Sequence, residues 1–242
     1  MSERTRTPAA KPRDAAPADE TRWERTKSNA KTIGGAILLA LFIRIVLFEA
    51  FEIDGPSMEP TLLHGDRVVV AKYLYGLFLP FTNEALLTWG LPEAGDVVIV
   101  RSPADNIDIV KRVIGVPGDR IEIREDIVYR NGQPIRVREV GPCRSDEGIE
   151  DPTSCMWAEE HIGLRSWNIS YAGFNPPESY DAVTVPPGHV FVMGDHRDRS
   201  NDSRNPRVGM IPASRVKGRA LAMYWSNGGN GVRWDRIFEG VR

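Results

Sequence analysis

Short runs of β-branched residues, each closed by Gly, Pro or Asp, recur from residue 66 onward and predict the elements of this chain. Asp66–Lys72 (DRVVVAK), Asp96–Arg101 (DVVIVR), Asp108–Ile114 (DIVKRVI) and Arg120–Arg124 (RIEIR) all read as strands. Ile127–Val137 sets Asn131-Gly132 between two alternating arms, the strongest short-range signal for a hairpin. His189–Met193 and Val216–Trp225 predict two later strands, whereas residues 138–182 read as an irregular insertion with little strand signal. Helical periodicity is scarce outside one segment, so the expected class is mainly β.

The exception is Ile33–Phe51 (IGGAILLALFIRIVLFEAF), close to the roughly twenty apolar residues that cross a bilayer as a helix. Arg44 interrupts the run in its outer half, from where a long side chain can snorkel toward headgroups. Residues 32–51 are therefore expected to form a transmembrane helix. A cleavable secretory signal and a buried core helix also fit the same run. Met1–Asp19 is rich in Ala, Pro, Thr and charge with no apolar period, so residues 1–31 are expected to be a disordered tail. Arg22, Arg25, Lys27 and Lys31 precede the apolar run, and that basic bias puts the tail in the cytoplasm and residues 52–242 outside.

Composition narrows this picture only at its edges. The 242 residues suffice for one well-buried domain with extensions, and 22 Gly and 18 Pro agree with a loop-rich β fold. A net charge of -2 offers no basic excess for nucleic acid. Cys143 and Cys155 lack a CxxC spacing and have no His pair around them, which argues against a metal site. On the outer side of a membrane they are expected to close a disulfide, with two free thiols as the alternative.

Three separated stretches carry candidate chemistry. Ser57 stands in Gly55-Pro56-Ser57-Met58-Glu59-Pro60-Thr61-Leu62, where two prolines exclude a regular helix or central strand and impose a stiff turn. A serine hydroxyl needs a base within hydrogen-bond reach to act as a nucleophile. Lys111 shares its strand face with Ile109 and Val113, where desolvation lowers the pKa of an ammonium and favours the neutral amine. The polar loop Gly194–Arg204 (GDHRDRSNDSR) supplies Ser200 to orient that amine; His196, set between Asp and Arg, is a poor candidate for the base. The tail Val232–Phe238 carries Trp234, Ile237 and Phe238 among arginines, suited to lipid headgroups or to packing on the sheet.

In combination these motifs resemble the bacterial type I signal peptidases. GPSMEPTL resembles the nucleophile box, GDVVIV a following strand box, DIVKRVIGVPGD the lysine box and GDHRDRSNDSR the last box. The resemblance implies a signal-peptidase-like β-sheet catalytic domain with Ser57 as nucleophile, Lys111 as general base and Ser200 as the hydroxyl that positions Lys111. It further implies that Asp195, Arg112, Asp202 and Arg204 are ion-pair partners, and that Gly194 leaves room for the lysine. Some members carry an oxyanion-hole serine two residues before the nucleophile. Gly55 occupies that place here, so the oxyanion is assigned to the backbone N–H of Ser57, with Gly55 and Met58 beside it. The implied partners are signal peptides of exported preproteins, the lipid bilayer and a nearby secretion translocon, with no cofactor. Two competing readings are a self-cleaving repressor-type Ser–Lys protease, which would need a DNA-binding module, and an inactive membrane-anchored protein that binds exported polypeptides.

Overall fold

The computed structural model describes residues 18–79, 82–143, 155–173, 177–229 and 231–242. The expected disordered tail thus lies outside the described residues up to residue 17. The chain divides into two units, residues 1–42 and residues 43–242.

In the first unit a single helix, α1, spans Ala18–Phe42. This corrects the expected boundaries at both ends. Glu, Arg and Lys within 20–31 are good helix formers, so the helix begins well before the apolar run. It stops before that run is finished, because Ile43–Leu47 forms a π turn and Phe48–Glu52 is already a strand. As built, no helix among the described residues is long and apolar enough to cross a membrane. The apolar half of α1 nonetheless leaves Ile33, Ile37, Leu38, Leu39, Leu41 and Phe42 exposed.

The second unit is built almost wholly from strands. β1 (Phe48–Glu52) and β2 (Asp66–Ala71) pair antiparallel and bracket the Ser57 turn. A small hairpin follows, β3 (Gly76–Leu77) with β4 (Leu87–Thr88). β5 (Val97–Arg101) and β6 (Asp108–Gly115) pair next, with Val98 opposite Lys111 and Val97 opposite Arg112. β7 (Arg120–Arg124), β8 (Ile127–Arg130) and β9 (Gln133–Pro134) form a meander whose tight turn is the expected Asn131-Gly132, both at positive φ.

The expected irregular insertion is instead a three-stranded sheet of β10 (Arg136–Pro142), β11 (Met156–Ile162) and β12 (Arg165–Tyr171). Its alternation is hidden in the sequence because a charged residue, Glu160, sits at a fully buried position, where it pairs with buried Arg197. Cys143 and Cys155 are bonded across the ends of β10 and β11; the residues between them, 144–154, lie outside the described residues. β13 (Tyr180–Thr184) adds to β7, β14 (His189–Met193) joins β6, and β15 (Ile211–Pro212) joins β14. The long β16 (Val216–Gly228) lies between β2 and β5 and carries β17 (Gly231–Val232). The main sheet therefore runs β1-β2-β16-β5-β6-β14-β15.

This order matters for the chemistry. It makes β6 an interior strand, so its residues from Lys111 onward are buried on both faces. One apolar cluster, with Met58, Leu62, Val68, Val70 and Ile99, anchors the Ser57 turn onto the sheet. Another, with Val98, Val113, Val192 and Val216, fills the other side of β5 and β6.

Candidate active site

Ser57 and Lys111, fifty-four positions apart, meet because the β1–β2 connection folds over β6. Lys111 Nζ is 2.7 Å from Ser57 Oγ and 2.8 Å from the carbonyl oxygen of Val110. Lys111 is only 3% exposed. Burial pushes its pKa down from 10.5 to about 8, against the opposing pull of the Asp202 and Asp195 carboxylates and with some help from Arg204. Close to a tenth of the amine is then neutral at pH 7, about three hundredfold more than for a solvated lysine. A hydroxyl in contact with a partly neutral amine is an arrangement that can serve as a nucleophile with its base.

The rest of the expected constellation is partly assembled around that contact. Arg112 is fully buried and grips Asp195 with two bonds, Nε to Oδ1 at 2.8 Å and Nη2 to Oδ2 at 2.6 Å. Its Nη1 donates to the carbonyl of Gly95 at 2.8 Å, and its guanidinium lies 4.5 Å over the ring of Trp167. Asp195 also accepts the hydroxyl of Thr61 at 2.5 Å, so the ion pair clamps the far end of the Ser57 turn. Asp202 and Arg204 form the second expected pair, with both carboxylate oxygens engaged at 2.8 Å. Burial raises the Asp202 pKa, but Arg204 and the N–H of Gly194 outweigh it and hold the carboxyl below its usual range.

Ser200 is brought to the site but makes no hydrogen bond to Lys111 here. Its Oγ is buried against Gly194. At Gly194 a Cβ would overlap both Ser200 Oγ and the carbonyl oxygen of Ser57, so glycine is required there for close approach. Gly55 is different. Nothing stands within 4 Å of where its Cβ would be, and glycine serves its φ of +96°. The Met58 side chain is 1% exposed, within the core cluster under the turn. The N–H of Ser57 has no acceptor among the described residues.

Several supports were not legible from the motifs. Asp66, fully buried, accepts Leu63 N–H and the Ser226 hydroxyl, and it pairs with Arg233 and Arg236. Arg236 also donates to the carbonyl of Thr61 at 2.9 Å. The C-terminal segment thus packs on the sheet through its arginines, while Trp234 and Phe238 stay exposed. The basic residues of that segment were the available signal, yet their acceptor lies far away in sequence. Among the described residues no cluster of His, Cys, Asp and Glu is arranged to hold a metal.

Comparison with known proteins places the chain in a family. The family described as signal peptidase, peptidase S26, matches residues 26–225. Signal peptidase I of Pseudomonas aeruginosa is 34% identical over 210 residues, which cover 81% of this chain and 71% of that protein. Signal peptidase I of Rickettsia prowazekii is 34% identical over 207 residues, covering 78% and 76% respectively. A signal peptidase I structure from Enterococcus faecalis V583 covers 55% of this chain and 98% of its own, at 24% identity and a TM-score of 0.33.

Proposed function

This chain belongs to the signal peptidase S26 family, and from that premise we propose that it cleaves signal peptides from exported preproteins with Ser57 as nucleophile and Lys111 as general base. The observation that carries the reading is the 2.7 Å contact between Lys111 Nζ and Ser57 Oγ at a lysine whose burial leaves it partly neutral.

Neutral Lys111 takes the Ser57 proton as Oγ attacks the scissile carbonyl carbon. The carbonyl oxygen gains the charge, and the Ser57 N–H donates to it. The C–N bond then breaks, and the ammonium of Lys111 returns the proton to the departing amine of the mature protein. An ester joins the leader to Ser57. Water, deprotonated by Lys111, attacks that ester; the C–Oγ bond breaks, Lys111 returns the proton to Ser57 Oγ, and the leader leaves as an acid that ionises to its carboxylate. Arg112–Asp195 and Asp202–Arg204 hold the two segments that carry these groups. Ser200 is the positioning hydroxyl of this scheme. The substrate binds extended, as an added strand, with small pockets for small-x-small residues as the family resemblance implies.

The enzyme works at the outer face of the cytoplasmic membrane, with its N-terminus inside and the secretion translocon nearby. The exposed apolar residues of α1 support an anchoring role. Leu86, Leu87 and Trp89 around β4 are exposed as well. The apolar part of α1, Ile33–Phe42, is the anchor in this reading, the rest of the apolar run being taken up by the π turn and by β1.

The test uses detergent-solubilised protein and a preprotein with a small-x-small site, the new N-terminus being mapped by mass spectrometry. Wild type cleaves after that site, and Ser57→Ala and Lys111→Ala do not although both fold. Cleavage by either folded variant refutes the assignment.

A further inference from the structure

Two buried ionisable residues flank Ser57 and take no part in the steps above. Glu59 lies two residues after the nucleophile, and His196 lies on the loop that leads to Ser200; each is 1% exposed. His196 Nδ1 is 3.5 Å from Glu59 Oε2. Neither that oxygen nor either ring nitrogen of His196 has a hydrogen-bond partner among the described residues.

The backbones of both residues are tied into the site. The N–H of His196 donates to the carbonyl of Ser57 itself at 3.2 Å. The hydroxyl of Ser170, on β12, donates to the carbonyl of Glu59 at 2.9 Å, and the N–H of Ser170 donates to the carbonyl of Asp195 at 2.9 Å. The surrounding charges are already committed: Asp195 to Arg112 and Thr61, Arg197 to Glu160, and Asp202 to Arg204. Glu59 and His196 are left with each other.

A buried carboxylate and imidazole are costly unless they interact, and their attraction is strong in a low-dielectric interior. Packing alone asks for apolar residues at both positions. The line between the two side chains joins the Ser57 turn to the Gly194–Ser200 loop, the two segments whose spacing fixes Ser57 Oγ. A hydrogen bond between them needs only about half an ångström of approach from the present 3.5 Å.

We infer that Glu59 and His196 are paired positioning residues that draw the Ser57 turn against the Gly194–Ser200 loop and so hold Ser57 Oγ in line with Lys111 Nζ. This rests on the proposed Ser57/Lys111 chemistry. The pair touches neither substrate nor the reacting atoms, so it acts on turnover and not on substrate binding.

The experiment measures kcat and KM for cleavage of one preprotein by wild type, Glu59→Gln, His196→Gln and the double variant, with Ser57→Ala alongside. Each single variant lowers kcat about tenfold, as a misplacement well under 1 Å would, and leaves KM within about twofold. The double variant falls within about threefold of either single, because two members of one couple are not additive. An unchanged kcat in folded Glu59→Gln, losses that multiply in the double variant, or an effect confined to KM each overturn the inference. Loss of fold, judged by near-UV circular dichroism, in both Glu59→Gln and His196→Gln makes the pair structural only and also overturns it. Cleavage surviving in Ser57→Ala instead overturns the Ser57 reading beneath it.

Discussion

Replacing Lys111 by Met should abolish cleavage and yet stabilise the protein at neutral pH. The unfolded chain holds the Lys111 proton up to 10.5, the folded protein only to about 8. Between those values the unfolded state binds more protons, so stability rises with pH across the window and the full penalty applies below it. At about 1.4 kcal/mol per pH unit, the gap corresponds to a cost of about 3 kcal/mol at pH 7. Methionine has similar length and no charge to desolvate. It forfeits the contacts to Val110 O and Ser57 Oγ, worth about 1 kcal/mol. The net gain is then about 2 kcal/mol below pH 8, turning into a small loss above pH 10.5. Urea denaturation of both proteins at pH 6.5, 8 and 10.5 reads this directly. The same titration governs activity: kcat/KM of wild type should climb with unit slope below a midpoint near pH 8, as neutral Lys111 accumulates. A Lys111→Met protein no more stable than wild type at pH 6.5, or a difference that ignores pH, would refute the claim that burial is what activates this amine.

Two further outcomes follow from the packing. Gly194→Ala forces a Cβ into Ser200 Oγ and the Ser57 carbonyl, so it should cost about 1–3 kcal/mol in urea denaturation and most of the turnover, since the atoms displaced are those of the site. Reduction of Cys143–Cys155 by an added thiol, checked by a mass gain of two hydrogen atoms, frees a loop with a sequence separation of 12. By the loop-entropy argument this lowers stability by about 3 kcal/mol; a thermal midpoint unchanged on reduction would contradict it.

The strands of the main sheet were legible because their residues vote together. DVVIV and DIVKRVI are β-branched, bounded by turn formers, and too short for helices, so propensity and tertiary context agree. The Asn131-Gly132 hairpin was legible for the same reason. The β10–β12 sheet was not. Its inward positions include Glu160 and Ser170, which read as surface residues until Arg197 and the Glu59 carbonyl are seen to satisfy them. The extent of α1 failed differently: hydropathy marks Ile33–Phe51 as one run, but Phe48–Glu52 gains a full strand pairing with β2 and leaves the helix.

The candidate site shows the same division at finer scale. Local sequence identifies a residue type under local constraint, as with Ser57 between prolines or Lys111 among β-branched neighbours. It does not identify which distant partner holds that residue in place. Thr61, Asp195 and Arg112 lie in three separate motifs, and their joint hydrogen bonding depends on β6 lying inside the sheet with the Ser57 turn folded across it. Asp66 is the stronger case, because its partners Arg233 and Arg236 stand at the far end of the chain in what reads as a basic tail. Positioning therefore comes from long-range pairs of ordinary charged residues, each unremarkable in sequence. A nucleophile that must sit within hydrogen-bond reach of a buried amine needs such pairs on every side of its turn. Arg112–Asp195 and Arg236–Asp66 secure the end of the turn after Ser57 through Thr61, and the inferred Glu59–His196 couple would act from two residues after Ser57 and from the loop whose His196 N–H holds the Ser57 carbonyl.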